Sequence, residues 1–501
     1  MPTVSLSLVA RPYRCFGLSR AYPKGAMMCF TRRSPCQVLL VALSVLVLLS
    51  SCTGSRQARR RHRQGGVPAQ PQSFLPVYDQ VTPFVESQNF SGALSALEHG
   101  EAQFGKKDRL LYLMERGLLS LYTHDYTISR KTLTEAEILD EELYTKSLTR
   151  QATTFIINDL VAPYRGEDFE SVMLNLLLAL AYLQEGSVED ALVEARKVDK
   201  KLEAINSQYP KGKKNGYKED AFVRWLMGML YEIDPTSANL NDAFISYRKA
   251  LNIYKKDYRT DYGLGPPVLL KKQYLRLAEW MGGEEFREAK RRFSDVKYVS
   301  QKDKEKRSTL TFVHFNGKSP IKVEKSITAP LPDGHVIKVA FPQYQDRPFT
   351  IVESRIQASR ADGKPFHTRS RLGEPVARIA RTNLQNREGR IMAKAIARAA
   401  AKYAGGKEMV EEAKERYGDW GEILAKAFVN VLIVVSEIAD TRCWYSLPSQ
   451  IRVAQLNVPP GTYILSANCL NGQKQSIEKL DLGTVTTKPG ETRFFTFCTT
   501  R

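Results

Sequence analysis

From Phe74 to about Ser300 the apolar residues recur every three to four positions, and from about Leu310 the period falls to two. That change of period constrains the chain more than any other feature, because a pattern written for a helix face cannot pack as a strand, nor the reverse. Alternating runs appear at Leu310-Thr311-Phe312-Val313-His314-Phe315, at Val336-Ile337-Lys338-Val339-Ala340-Phe341 and from Phe349 to Ala358, separated by Gly and Pro turns. Helical spacing returns from Pro375 to Tyr403 and from Lys407 to Ile438. Strand texture resumes after Asp440, with Ile451-Arg452-Val453, Gly461 to Leu465 and Glu491 to Phe497. The expected fold class is α+β. An all-α helical-repeat domain over 74–300 precedes a β-sandwich-like domain over 301–501, whose two strand sets close around an inserted helical hairpin at 375–438. The apolar run Ala427 to Val435 reads as the buried partner inside that hairpin, being far short of the ~20 residues a membrane span needs.

One arrangement recurs three times in the helical half. Leu113 and Gly117 precede Ser129, Leu133 and Ala136; Ala179, Tyr182 and Gly186 precede Ala191, Ala195 and Val198; Gly228 and Tyr231 precede Ala243, Tyr247 and Ala250. These offsets resemble the tetratricopeptide helix-turn-helix, in which small residues let paired helices approach and aromatics fill the groove between them. Ala93 and Leu97 read as the second helix of an earlier unit, and Tyr274 to Phe293 as a degenerate last one. Ala93, Ser129, Ala191 and Ala243 are 36, 62 and 52 residues apart, so the array is irregular; a generic helix bundle is the alternative. The resemblance implies a concave face for a peptide or partner helix, and hence binding more than chemistry.

The N-terminus carries a targeting pattern. Residues 1–51 hold six basic residues, no acidic one, and an apolar run from Val38 to Leu49 preceded by Arg32 and Arg33, which suits a secretory leader. Leu49-Ser50-Ser51-Cys52 resembles the bacterial lipobox, which implies lipidation of Cys52 and cleavage before it; a plain signal peptide or an uncleaved anchor is the alternative. The leader is long, so Met27 or Met28 is the expected start. Residues 52–73 read as a basic tether, whose five Arg either touch anionic headgroups, at up to ~1 kcal/mol each, or stand in solvent. The same lipoprotein resemblance implies, from Thr53 where an Asp would retain the protein in the inner membrane, an outer-membrane location facing the periplasm. Export also removes nucleic acid as a partner, although the chain carries a net charge of +20.

The charge is unevenly placed: 31 basic against 34 acidic residues over 74–300, and 32 against 20 over 301–501. Arg387, Arg390, Lys394, Arg398 and Lys402 share one helical face, as a solvated stripe or as a site for anionic lipid or a glycan's acidic groups. Tyr164-Arg165-Gly166-Glu167-Asp168 is the most unusual polar cluster. Its carboxylates complement the positive end of the helix that follows, or Tyr164, Arg165, Glu167 and Asp168 recognise a partner. The six His residues are scattered, and no nucleophile elbow, phosphate loop, dinucleotide fingerprint or metal-ligand spacing is present. No catalytic residue, metal or cofactor is therefore expected. Three cysteines remain after Cys52: Cys443, Cys469 and Cys498. In an oxidising compartment Cys469 with Cys498 is the preferred disulfide over pairs involving Cys443.

Several strings together resemble a family of bacterial lipoproteins with a tetratricopeptide-like N-terminal half. They are Asn158-Asp159, Pro163-Tyr164-Arg165-Gly166-Glu167-Asp168-Phe169-Glu170, Asn175, Ala191-Leu192-Val193-Glu194-Ala195-Arg196, Asp220-Ala221-Phe222, Ala377-Arg378-Ile379-Ala380-Arg381, Ala439-Asp440-Thr441-Arg442-Cys443-Trp444 and Leu447-Pro448. The Pro489-Gly490-Glu491-Thr492 turn with Gly461-Thr462-Tyr463 resembles the PEGA-type exported β-module. The family resemblance implies a membrane-anchored envelope scaffold that binds a protein partner through its repeats, with cell-wall synthesis as the associated process. A self-associating assembly subunit and an envelope hydrolase are the other two readings.

Overall fold

The computed structural model describes residues 76–149, 160, 162–207, 217–331, 333, 335–360, 363–436 and 438–501. The leader, Cys52, the tether and Asn158-Asp159 lie outside the described residues. Helices pair in sequence as antiparallel hairpins: α1 (Val77–Glu86) with α2 (Phe90–His99), α3 (Arg109–Tyr122) with α4 (Tyr126–Thr149), α5 (Asp168–Gln184) with α6 (Val188–Ser207), and α7 (Ala221–Tyr231) with α8 (Ser237–Ile253). A π turn and the short α9 (Arg259–Tyr262) lead to a last pair, α10 (Val268–Met281) and α11 (Gly283–Arg292), and then to α12 (Gln301–Glu305). Side-chain caps start several of these helices: Asn89 accepts from Gly92 N at 2.9 Å, Asp220 from Val223 N at 2.8 Å and Thr236 from Asn239 N at 3.2 Å.

The small residues of the repeat pattern sit where helices touch. A Cβ on Gly117 would lie 2.5 Å from Leu133 Cδ2, and one on Gly228 would lie 2.3 Å from Tyr247 Cε1. The Tyr247 ring cannot retreat, since it is fully buried and its hydroxyl donates to Glu232. Gly228→Ala is therefore expected to destabilise the protein by about 2 kcal/mol through overpacking, read as a lower urea midpoint. Gly265→Ala, which meets open space, should leave the midpoint unchanged.

The β half supplies two further layers. One sheet runs β10 (Thr492–Thr499), β1 (Ser308–Asn316), β7 (Gln450–Val458), β6 (Arg371–Glu374), with β10 parallel to β1. The other runs β5 (Phe366–Arg369), β4 (Glu353–Ser359), β8 (Gly461–Leu470), β9 (Ser476–Thr487), and β2 (Ile321–Pro330) pairs with β3 (Val336–Gln345) as a separate ribbon. Alternation along the first sheet decides what each face touches. Leu310, Phe312, Ala454 and Leu456 face the second sheet in one core, whereas Val313, Phe315, Ile451 and Val453 face the helices in the other. The order is therefore helices, sheet, sheet. The helical and β halves share a core inside one unit, Pro71–Arg501, and α+β is the fold class.

The inserted hairpin differs from expectation in where it turns. Its helix α13 (Val376–Ser436) passes through Gly405 and Gly406 and breaks at Gly418, the residue within it whose φ, at 68°, is left-handed. Gly406 serves a crossing: a Cβ there would lie 2.4 Å from Val429 Cγ1 on the returning arm. That arm packs through Gly421, Ala425 and Val429, so Ala427 and Phe428 point outward and are not the buried partner that the sequence suggested.

Candidate functional site

The polar loop 163–168 has an inner and an outer side. Tyr164 and Glu167 turn inward and are buried, Arg165 is exposed, and Asp168 is half-buried. Glu167 and Glu170 form a reciprocal capping box on α5, with Glu167 N donating to Glu170 Oε2 at 2.8 Å. The second Glu167 partner set comes from the β half: Lys322 on β2 and Arg387 on α13 both pair with its carboxylate. Tyr164 donates its hydroxyl to Glu170, and the Arg442 guanidinium lies 5.4 Å from the Tyr164 ring centroid. Burial pushes Glu170 up to about 7, against the lowering pull of Lys322 and the Trp444 amide. Glu167 thus ties α5 to the β2 ribbon and to α13, Tyr164 ties it to Arg442, and only Arg165 and Asp168 of the four candidate residues reach a surface.

The inner helices hold a second feature, which the sequence alone did not reveal. Residues 439–449 cross between the halves without regular structure, and Arg442, Trp444 and Tyr445 are buried. Buried carboxylates on the helices accept this strap's backbone amides: Glu170 Oε1 takes Trp444 N at 2.8 Å, while Glu115 takes Tyr445 N and, at 3.0 Å, Ser446 N. Arg442 Nη1 donates to Asp108 Oδ1 at 2.8 Å and to the Ala162 carbonyl at 3.0 Å. The segment around α3 and α5 is thus occupied by the protein's own chain.

A cleft of about 370 Å³ opens between α4, α5 and α6. Asp140, Arg165, Asp168, Lys197, Lys200 and Lys201 line it. Its lysines belong to a ladder of ion pairs: Lys201 Nζ meets Asp140 Oδ2 at 2.9 Å, and Lys197 Nζ meets Glu137 and Glu194, each at 2.9 Å. The buried Asn175 amide donates to Glu137 at 2.6 Å and to Glu194 at 2.9 Å. Arg165 and Lys200 are exposed at the rim. Charged, half-buried and able to hold a side chain or two, this cleft suits recognition.

The basic stripe is turned differently from a solvent-facing surface. Arg398 is buried, Arg387 pairs with Glu167, Lys394 and Lys402 are half-buried, and Arg390 is exposed. Helical spacing placed these residues on one face, which is divided: Arg387 and Arg398 look into the protein and Arg390 looks out. The Cys469–Cys498 disulfide is not formed, and Cys443, Cys469 and Cys498 are free thiols. Cys469 lies between the sheets, whereas alternation along β10 turns Cys498 to the helix side, where it meets Tyr122. Burial pushes the Cys443 and Cys469 thiols up to about 12, which leaves neither as a thiolate. Among the described residues no three His, Cys, Asp or Glu side chains gather as metal ligands. The buried His314 stacks on Phe497 and bonds Thr499 Oγ1 at 2.7 Å, with burial pushing its pKa down.

No protein-family model matches the sequence, and no curated protein does. Solved structures match part of it. MamA protein is 12% identical, with 44% of this chain and 94% of MamA covered at a TM-score of 0.26. A kinesin light chain with TPR-like repeats from Podospora anserina is 13% identical, covering 44% of this chain and 92% of its own at 0.28. The Rap conjugation gene regulator of plasmid pLS20, solved with its Phr* peptide, is 14% identical, covering 44% and 53% at 0.27. The tetratricopeptide-like description of this chain rests on its own hairpins and their glycine crossings.

Proposed function

We propose that this protein is a non-enzymatic, lipid-anchored scaffold of the bacterial cell envelope that binds a protein partner through its helical half. The observation that carries the reading is the division of labour among the helices: α3 and α5 hold the protein's own strap 439–449, and a charged cleft beside Arg165 is open between α4, α5 and α6. The lipobox-like Leu49-Ser50-Ser51-Cys52 supports acylation, with the outer membrane as the destination and cell-wall synthesis as the process. Acyl chains anchor at about 0.8 kcal/mol per buried CH₂, enough for stable attachment when two or more are present.

The test is crosslinking from native membranes with wild type and an Arg165→Ala, Lys200→Ala double variant. Both side chains are exposed, so the variant should keep its fold. Glu167 is left alone because it ties α5 to β2 and α13. The expected result is one envelope protein recovered with wild type and reduced at least tenfold in the variant. Recovery of self-crosslinked species alone, indifferent to the substitutions, would replace the scaffold reading with that of an assembly subunit.

A further inference from the structure

The returning arm of the inserted hairpin, residues 419–436 of α13, carries three faces. Gly421, Ala425 and Val429 pack on the first arm; Glu422 pairs with Lys414 at 2.6 Å and with Lys426 at 3.1 Å. The third face is apolar and bare. Trp420 is 77% exposed, Ile423 and Leu424 57% each and Phe428 53%, with Tyr417 at the turn 49% exposed. Positions 420, 423, 424 and 428 repeat at helical spacing, so their side chains line one strip. From the size of such residues the strip offers on the order of 500 Å² of apolar surface, at the upper end of what a soluble monomer leaves in water.

We infer that this face lies on a lipid surface. The inference rests on the lipid-anchor reading above, because residues outside the described part of the chain bring the membrane within reach. The Val38–Leu49 run and Cys52 precede a tether ending near Gln72, whose contour is roughly 70 Å. An acylated Cys52 therefore keeps an apolar phase at high effective concentration around the body of the protein. The strip's chemistry fits that phase. Trp420 and Tyr417 flank the hairpin turn, and such rings favour the boundary between headgroup and acyl chain. Among the described residues no helix is long and apolar enough to cross a membrane, so the arm lies along the surface. Residues 407–430 carry six acidic and four basic side chains, which gives no attraction to anionic headgroups. Contact is apolar, with zwitterionic lipid sufficient and salt of little effect.

The test uses residues 52–501 with Cys52→Ser, which removes the acyl anchor, and phosphatidylcholine vesicles. The protein should float with the vesicles, and brominated lipid should quench fluorescence that Trp420→Phe abolishes. Leu424→Glu with Phe428→Glu should weaken flotation at least tenfold while circular dichroism and Tm stay unchanged, since both side chains are exposed. Ile464→Glu, an exposed apolar position on β8, should leave flotation intact. Failure to float overturns the inference, as does equal loss with Ile464→Glu. A dimer that ignores vesicles and is broken by the double substitution assigns the face to a second copy instead. Mass spectrometry of the N-terminal peptide from native membranes separates the two readings. An acylated Cys52 without vesicle binding by the Cys52→Ser chain sinks the hairpin contact alone, and vesicle binding without acylation sinks the anchor alone.

Discussion

Glu115→Ala should cost the protein about 3–5 kcal/mol, the largest single-residue loss expected outside the apolar core. Glu115 is buried on α3, and its carboxylate accepts from Tyr445 N, from Ser446 N at 3.0 Å and from the Tyr78 hydroxyl at 2.9 Å. Alanine removes the acceptor of the Tyr445 and Ser446 amides in a buried site, and each orphaned donor costs about 1–3 kcal/mol. The strap these amides belong to also carries Arg442 and Trp444, whose contacts with Asp108 and Glu170 depend on its path. Loss at Glu115 should therefore spread. Hydrogen exchange at Tyr445 and Ser446 should accelerate together with exchange at Trp444, and urea unfolding should move to a lower midpoint. Glu115→Gln should cost less, because an amide oxygen in the Oε1 position still accepts from Tyr445 N and the Tyr78 hydroxyl, while its NH₂ group faces Ser446 N alone. If Glu115→Ala unfolds with the wild-type midpoint and the strap amides stay protected, the carboxylate is not what holds the strap.

The contrast between what periodicity reveals and what it hides is clear at this strap. Helical and alternating spacing locate most helices and the strands β1, β3, β4, β7, β8 and β10, and β1 and β7 stand out further because each of their faces meets a core. β2 and β9 escape notice for the opposite reason. Lys322, Glu324, Lys325 and Ser326 occupy a ribbon with little core beneath it, and β9 is an exposed edge strand. A period tells which side chains share a face without telling where the face turns: Arg387 and Arg398 look inward, and Trp420 and Phe428 look outward. Helical spacing breaks between Tyr403 and Lys407, at Gly405-Gly406, but Gly406 there admits Val429, and the turn uses the left-handed backbone of Gly418. Glu115 in the apolar run Leu110–Leu121 and Glu170 before another did carry a signal, a lone carboxylate on a buried stretch. What it bonds is an irregular segment distant in sequence, which no local pattern encodes.

A second pair of carboxylates leads to a pH dependence. Glu374 on β6 and Asp220 at the start of α7 are both buried, and the Tyr258 hydroxyl lies 3.0 Å from Glu374 Oε2 and 3.4 Å from Asp220 Oδ1. The Tyr217 hydroxyl donates to Asp220 Oδ2 at 2.6 Å, and Tyr254 to the Gly373 carbonyl at 2.8 Å. Burial first, and the charge of Asp220 second, raise Glu374 well above the usual carboxylate range, with the Tyr258 bond pulling weakly the other way. Because the folded pKa lies above the unfolded one, the neutral acid's contribution is complete below the unfolded pKa and is lost as pH rises through the folded value. Glu374→Gln cannot ionise and escapes that loss. The stability of wild type relative to Glu374→Gln should therefore fall as pH rises above about 5, at up to about 1.4 kcal/mol per pH unit, until the folded pKa is passed. Urea unfolding of both proteins across that range measures it, and parallel curves would show that Glu374 ionises as readily folded as unfolded. Asp220 and Tyr258 belong to the helical half and Glu374 to the sheet, so this titration reads the seam between them: alkaline pH should loosen the docking of sheet on helices in wild type first, and the glutamine should hold it.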